Sequence, residues 1–177
     1  NCKQNSKLLP RKKRAEKITA LLSEMYPMAD CTLIYKEPFK LLISGILAAQ
    51  CTDARVNLIA KDLFEIYPDP KSFANSNIYD LQEIIRSCGF FNTKSRYIIE
   101  SMKIICAKYE GEIPANREAL MELPGVGRKI ANLILGDCFN IPAIVVDTHC
   151  LRITKHFGLS DSKNPLKTEQ DLMKYIA

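Results

Sequence analysis

The chain has 177 residues, 47% of them hydrophobic and 25% charged, and carries 25 Lys+Arg against 20 Asp+Glu with no Trp. That length suits one domain or two small ones with a sizeable core, and so apolar a composition excludes a disordered chain. The longest apolar stretch, Leu41 to Ala49, is broken by Ser44 and Gly45 and is too short to span a bilayer, while Arg11 to Arg14 precedes an ordinary amphipathic segment and not the apolar region of a signal peptide.

The net charge of +5 is unevenly placed. Residues 1–17 hold seven Lys/Arg against one Glu, and the other 160 residues hold 18 basic against 19 acidic side chains. A pI near 8.8 would ordinarily point to a nucleic-acid partner. Here the excess sits in one arm, where Arg11 to Arg14 adds phosphate attraction or solvates a helix start, so charge decides little. Seven cysteines (Cys2, Cys31, Cys51, Cys88, Cys106, Cys138, Cys150) form no C-x-x-C pair and no metal-ligand spacing. They predict a reduced, intracellular protein without disulfides.

In chain order, Ile18, Leu21, Leu22 and Met25 recur at helical spacing before a stop at Pro27. Phe39 to Ala49 has no charge after Lys40, the pattern of a helix buried on every side in the middle of a bundle. Val56, Ile59, Ala60, Leu63 and Phe64 form the next stripe, ended by Pro68. Asn77, three residues before Asp80, opens another helix that stops at Gly89. Thr93 is the expected start of a stripe through Tyr97, Ile98, Met102, Ile105 and Cys106, which stops at Gly111 and Pro114. Ile141 to Val146 is strand-like but has no second strand to pair with. Gly158 marks a further stop, and Thr168, three before Asp171, a last start. The chain therefore reads as all-α, with about nine helices, short loops and no repeat.

The stretch from Asn116 to Asn140 carries the chemistry. A short helix over about 116–122 meets Leu123-Pro124-Gly125-Val126-Gly127, and a second helix begins near Arg128. Two glycines one residue apart allow a tight turn with exposed amide N–H groups. With the open N–H groups of the following helix they make an anion site, to which Arg128 and Lys129 add charge. A DNA backbone phosphate fits such a site without any base contact. A P-loop is excluded because Arg128 follows Gly127 and Ile130 follows Lys129, and a dinucleotide fingerprint because a third Gly and a preceding strand are missing. A plain glycine turn between packed helices remains the competing reading on spacing alone.

Asp147, in Val145-Val146-Asp147-Thr148-His149, ends an apolar run before a helical pattern. By itself it reads as an N-cap. Paired with Lys129 it reads more sharply. The field at a helix N-terminus favours the neutral, nucleophilic lysine, and a carboxylate could accept its proton and then stabilise cationic charge on a substrate. The two histidines, His149 and His156, lack a third ligand for zinc.

Together, L-P-G-V-G-R-K-I-A-N, V-D-T-H 18 residues after the lysine, Leu47-Ala48-Ala49-Gln50-Cys51-Thr52-Asp53 and Gly89-Phe90-Phe91-Asn92-Thr93-Lys94 resemble the helix–hairpin–helix DNA glycosylases, within them the endonuclease III branch. The resemblance runs from about residue 15 to the end. It implies two helical domains with the DNA cleft between them: a six-helix bundle over 31–141 holding the helix–hairpin–helix at about 116–138, and a discontinuous second domain over 1–30 plus 142–177, truncated at its C-terminal end. It implies a monomeric base-excision-repair glycosylase with abasic-site lyase activity on duplex DNA carrying damaged, by expectation oxidised pyrimidine, bases. Lys129 would attack the sugar C1′ and form a Schiff base, and Asp147 would activate it. Gln50 would fill the hole left by the flipped nucleotide and Phe90 would wedge between bases. Leu123, Gly125, Gly127, Arg128 and Lys94 would hold the DNA. Members that only release the base lack the lysine; that activity, or a non-catalytic DNA-binding role, is the alternative.

Two positions depart from the family: Ile130 stands where Thr is frequent, and Phe90 where Leu is usual. The family's [4Fe–4S] cluster is held by four cysteines some 20–30 residues beyond Ala177. None of the seven cysteines here takes those places, so these residues ligate no metal, and a cluster is expected only if the natural chain continues. No membrane partner is implied, and the location is intracellular, in the cytoplasm or nucleoid of a prokaryote.

Overall fold

A computed structural model describes residues 9–176; Cys2, Lys3 and Lys7 of the basic arm lie outside the described residues. The helices are α1 (Arg11–Met25), α2 (Pro38–Leu47), α3 (Asp53–Ile66), α4 (Pro70–Ala74), α5 (Ile78–Ile85), α6 (Phe91–Lys108), α7 (Arg117–Met121), α8 (Arg128–Phe139), α9 (Thr148–His156) and α10 (Pro165–Ile176), with a 3-10 turn at Arg86–Cys88. No strand occurs among the described residues. Residues 141–146 stay irregular, and Val146 enters a small core instead of a sheet. The chain divides into two compact units, one holding the residues up to Asp30 and from Pro142, the other Cys31–Ile141.

In the larger unit α2 is the central element. Eight of its ten residues, Phe39 and Leu41 through Leu47, are buried, as a helix without charge after Lys40 requires. Around it Phe39, Phe64 and Phe73 meet edge to face with centroids 6.1–6.4 Å apart. The absence of a side chain at Gly45 lets α8 approach closely. A Cβ there would lie 3.0 Å from Ile130 Cγ2. Ser44 is wholly buried with its hydroxyl unpartnered.

Short polar side chains start most of the helices. Thr52 accepts from Arg55 N, Asp69 and Ser72 form a reciprocal capping box, Asn77 accepts from Tyr79 N and Asn116 from Ala119 N. Two expected starts move. α6 begins at Phe91, not at Thr93, because Gly89 and Phe90 both take positive φ and turn the chain in directly. α10 begins at Pro165, three residues before Thr168, since proline is preset for the first helical position and Asn164 Oδ1 accepts from Lys167 N.

The smaller unit packs Ala15, Val146, Leu159 and Leu172 into a modest core flanked by Ile18, Ile144, Leu151 and Tyr175. Part of the basic arm is structural here. Arg11 pairs with Asp161, which raises its pKa further, and the Arg14 guanidinium packs so closely that a Cβ on Gly158 would stand 2.9 Å from its Nη1.

Candidate active site

The hairpin is built by anchoring its apolar residues and leaving its glycines in the open. Leu123 and Val126 are buried, and Val126 N donates to Leu123 O at 3.1 Å. Ser101 Oγ donates to Pro124 O at 2.9 Å, tying the turn to α6. Arg117 Nε donates to the buried Asn132 Oδ1 at 2.9 Å, locking α7 against α8. The two glycines have different reasons to be there. Gly125 has φ +79, and a Cβ on it would stand 2.7 Å from Tyr97 Cδ2. Gly127 has ordinary extended backbone, and a Cβ on it would meet no atom within 4 Å. Its bareness therefore serves nothing inside the unit.

Gly127 is also the N-cap of α8, and no side chain caps that helix. Its first-turn N–H groups and the positive end of its dipole thus face outward, the arrangement that binds an oxyanion. Lys129, at the second position of α8, is exposed, and no hydrogen bond or ion pair holds its ammonium among the described residues. Arg128 beside it is half-buried.

Four of the expected residues gather around one cavity of about 190 Å³: Gln50, Phe90, Lys94 and Gly125, with Ile46, Ala49, Thr93 and Tyr97. Gln50 has φ +54 and Phe90 has φ +49, left-handed conformations that cost a non-glycine residue about 1–2 kcal/mol. Both side chains are exposed, Phe90 by 66%, so Phe90 is not core. A large apolar ring held outward by unfavourable backbone is a strained, exposed probe. Tyr97 was not foreseen. Its place in an apolar stripe marks it as core, and only its closeness to Gly125 assigns it to this cavity.

Two expectations are corrected. Lys94 is 4% exposed, and its Nζ donates to Leu47 O and Cys88 O, each at 2.8 Å. It ties α2 to the 3-10 turn instead of offering a surface cation to phosphate, and burial lowers its pKa. The Leu123 side chain is 2% exposed, so it anchors the turn and any contact with DNA falls to the backbone.

In the other unit Asp147 is the N-cap of α9, its Oδ1 accepting from Cys150 N at 2.8 Å. The bond fixes the carboxylate's orientation while engaging one of its two oxygens. Among the described residues no group of three or more His, Cys, Asp or Glu could hold a metal ion, and no helix is long and apolar enough to cross a membrane.

Residues 43–177 match the HhH-GPD superfamily of base excision DNA repair proteins. The chain belongs to that superfamily. Within it the chain is endonuclease III-like. It is 42% identical over 171 residues to the endonuclease III of Synechocystis sp., covering 96% of this chain and 78% of that protein. A non-covalent endonuclease III–DNA complex matches with a TM-score of 0.89 at 41% identity, over 94% of this chain and 78% of the other. A trapped endonuclease III–DNA covalent intermediate, an estranged-adenine complex, matches with a TM-score of 0.88 at 41% identity over the same shares. A thymine-DNA glycosylase at 20% identity and a TM-score of 0.80 shares the fold.

Proposed function

We infer that this member of the superfamily is a base-excision-repair DNA glycosylase with abasic-site lyase activity, acting on duplex DNA through a lysine Schiff base. The observation that carries the reading is Lys129, exposed at the uncapped start of α8 directly after a hairpin whose Gly127 is bare for no internal reason. Support comes from the endonuclease III relatives and from the DNA-bound and trapped covalent structures of such enzymes.

In this reading the amides of Gly125, Gly127 and the first turn of α8 hold a backbone phosphate, and Arg128 adds local charge. Phe90 enters the stack and Gln50 occupies the place of the extruded nucleotide; unstacking costs a few kcal/mol, which an apolar wedge offsets. Lys129 Nζ attacks the sugar C1′ as the C1′–N bond to the damaged base breaks, and Asp147 takes the proton the amine loses. The sugar ring then opens as the C1′–O4′ bond breaks, O4′ taking the proton back from Asp147, and the resulting iminium acidifies the C2′ hydrogens. Loss of one of them expels the 3′ phosphate by β-elimination, and water then releases the lysine. Oxidised pyrimidines are the proposed lesions, the enzyme acts as a monomer, and its place is with the DNA inside the cell.

The family's [4Fe–4S] cluster does not fit the described cysteines, which bring no four thiols together. If the natural chain carries the cluster, its ligands lie past Ala177, and no step above passes through it.

Borohydride reduction in the presence of abasic-site duplex tests the reading. A covalent protein–DNA adduct is expected from the wild type and is absent from Lys129→Ala. No adduct from folded wild-type protein that binds the same duplex would overturn it in favour of a non-catalytic or base-releasing role.

A further inference from the structure

Two cysteines that the repair chemistry does not use stand directly behind the DNA-probing loops. Cys51 follows Gln50, and Cys88 precedes Gly89 and Phe90. The Cys51 thiol stands close enough to raise the pKa of Cys88, and both thiols lie within electrostatic reach of the Lys94 ammonium. The backbone around them is tied as well: Lys94 Nζ donates both to Leu47 O, four residues before Cys51, and to Cys88 O. One ammonium therefore clamps together the two segments that carry the thiols. Cys51 is half-exposed, whereas Cys88 is 2% exposed, so a small reagent reaches Cys51 first.

We propose that Cys51 and Cys88 are a dithiol modification site, converted to an internal disulfide by a low-molecular-weight disulfide and reopened by small thiols. The Cys51 sulfur, as thiolate, attacks one sulfur of the small disulfide and expels one small thiolate, leaving a mixed disulfide on Cys51. Cys88 then loses its proton, attacks the Cys51 sulfur and expels the second small thiolate. Two electrons pass from the protein thiols to the small disulfide, and two protons to the released thiols. Burial pushes Cys88 up to about 11, while the nearby Lys94 and Arg55 cations favour its thiolate. Its part is thus the second, intramolecular attack. The remaining described cysteines, Cys31, Cys106, Cys138 and Cys150, serve as internal controls.

The consequence for DNA rests on the proposed function. Gln50 and Phe90 line one cavity from the two loops that the disulfide would join. Linking the loops fixes the spacing of the two probes, so the oxidised protein engages lesion DNA less well.

The full chain, treated with glutathione disulfide, acid-quenched, alkylated and mapped by mass spectrometry, tests the site. A linked Cys51–Cys88 peptide is expected in the wild type, lost in Cys51→Ala, with a persistent glutathione adduct on Cys51 in Cys88→Ala. Either thiol still alkylated at oxidant levels that convert an exposed reference thiol, or a persistent adduct on wild-type Cys51, would overturn it. Affinity for duplex carrying a tetrahydrofuran abasic analogue should fall about tenfold on linkage, recover with dithiothreitol and stay constant in Cys51→Ala. Unchanged affinity of the linked protein overturns the control of DNA engagement. Peptide mapping does not depend on catalysis, so failure of the lyase reading would show separately, as a missing borohydride adduct from the reduced protein.

Discussion

The hairpin before α8 and the two loops bearing Gln50 and Phe90 belong to one unit and meet at one cavity, yet they present different things. The hairpin offers backbone, with its apolar side chains turned inward and its glycines in the open. The loops offer side chains, held outward by left-handed backbone at residues other than glycine. Backbone amides grip any phosphate alike, whereas a ring and a carboxamide can probe the base stack. In the proposed function, holding DNA and interrogating it would fall to neighbouring segments with separate structural requirements.

That separation can be broken most strongly at Gly125. Gly125→Ala places a Cβ in left-handed backbone and 2.7 Å from Tyr97. A loss of about 3 kcal/mol in chemical denaturation is expected. Gly127→Ala should cost only about 1 kcal/mol, the penalty of alanine at an N-cap, while binding duplex DNA more weakly, because its methyl meets no atom inside the unit. Equal losses of stability in the two variants would erase the distinction drawn between the glycines.

Next in size is Lys94→Met, which leaves two carbonyls without their donor and should cost about 2 kcal/mol. Its DNA affinity should keep the wild-type salt dependence, whereas Arg128→Ala lowers the slope by about 1. A reduced slope in Lys94→Met would return that lysine to the DNA-binding set. The same residue has a pH signature. Burial holds its ammonium below the ordinary 10.5, so the unfolded chain binds the proton more tightly. Stability therefore rises with pH through the window below 10.5, and Lys94→Met should flatten that rise in denaturation curves taken across alkaline pH.

Smaller effects are expected where strain or an orphan group is relieved. Phe90→Gly removes a left-handed penalty of about 1 kcal/mol, partly offset by the freedom glycine regains on unfolding. Its melting temperature should hold or rise slightly while lesion binding drops; a clear destabilisation would make Phe90 a packing residue after all. Ser44→Ala should be neutral or stabilising by less than about 1 kcal/mol, since the buried hydroxyl has no partner to lose.

Much of this was legible in the residues. The uncharged run after Lys40 marked α2 as the central helix, and the glycine pair before Arg128 located the uncapped start of α8. What escaped was set by neighbours distant in sequence. Lys94 looks like any surface lysine in N-T-K-S-R until Leu47 O and Cys88 O are found on either side of its ammonium. Tyr97 falls in an apolar stripe, and its contact with Gly125 exists only because α6 passes under the hairpin. The starts expected at Thr93 and Thr168 failed for a local reason. Positive φ at Gly89 and Phe90, and a proline at 165, open those helices earlier than capping residues alone suggest.

The close crossing of α2 and α8 makes Gly45 and Ile130 a single joint variable. With 3.0 Å between Ile130 Cγ2 and the site a Cβ would occupy, bulk added at position 45 must be removed at position 130 or push the start of α8 outward. Among natural variants of this chain, alanine at 45 should therefore travel with a smaller residue at 130, and Gly45→Ala alone should be rescued by Ile130→Ala. The departure from threonine at 130 is then half of a pair, whose other half lies 85 positions earlier in the chain.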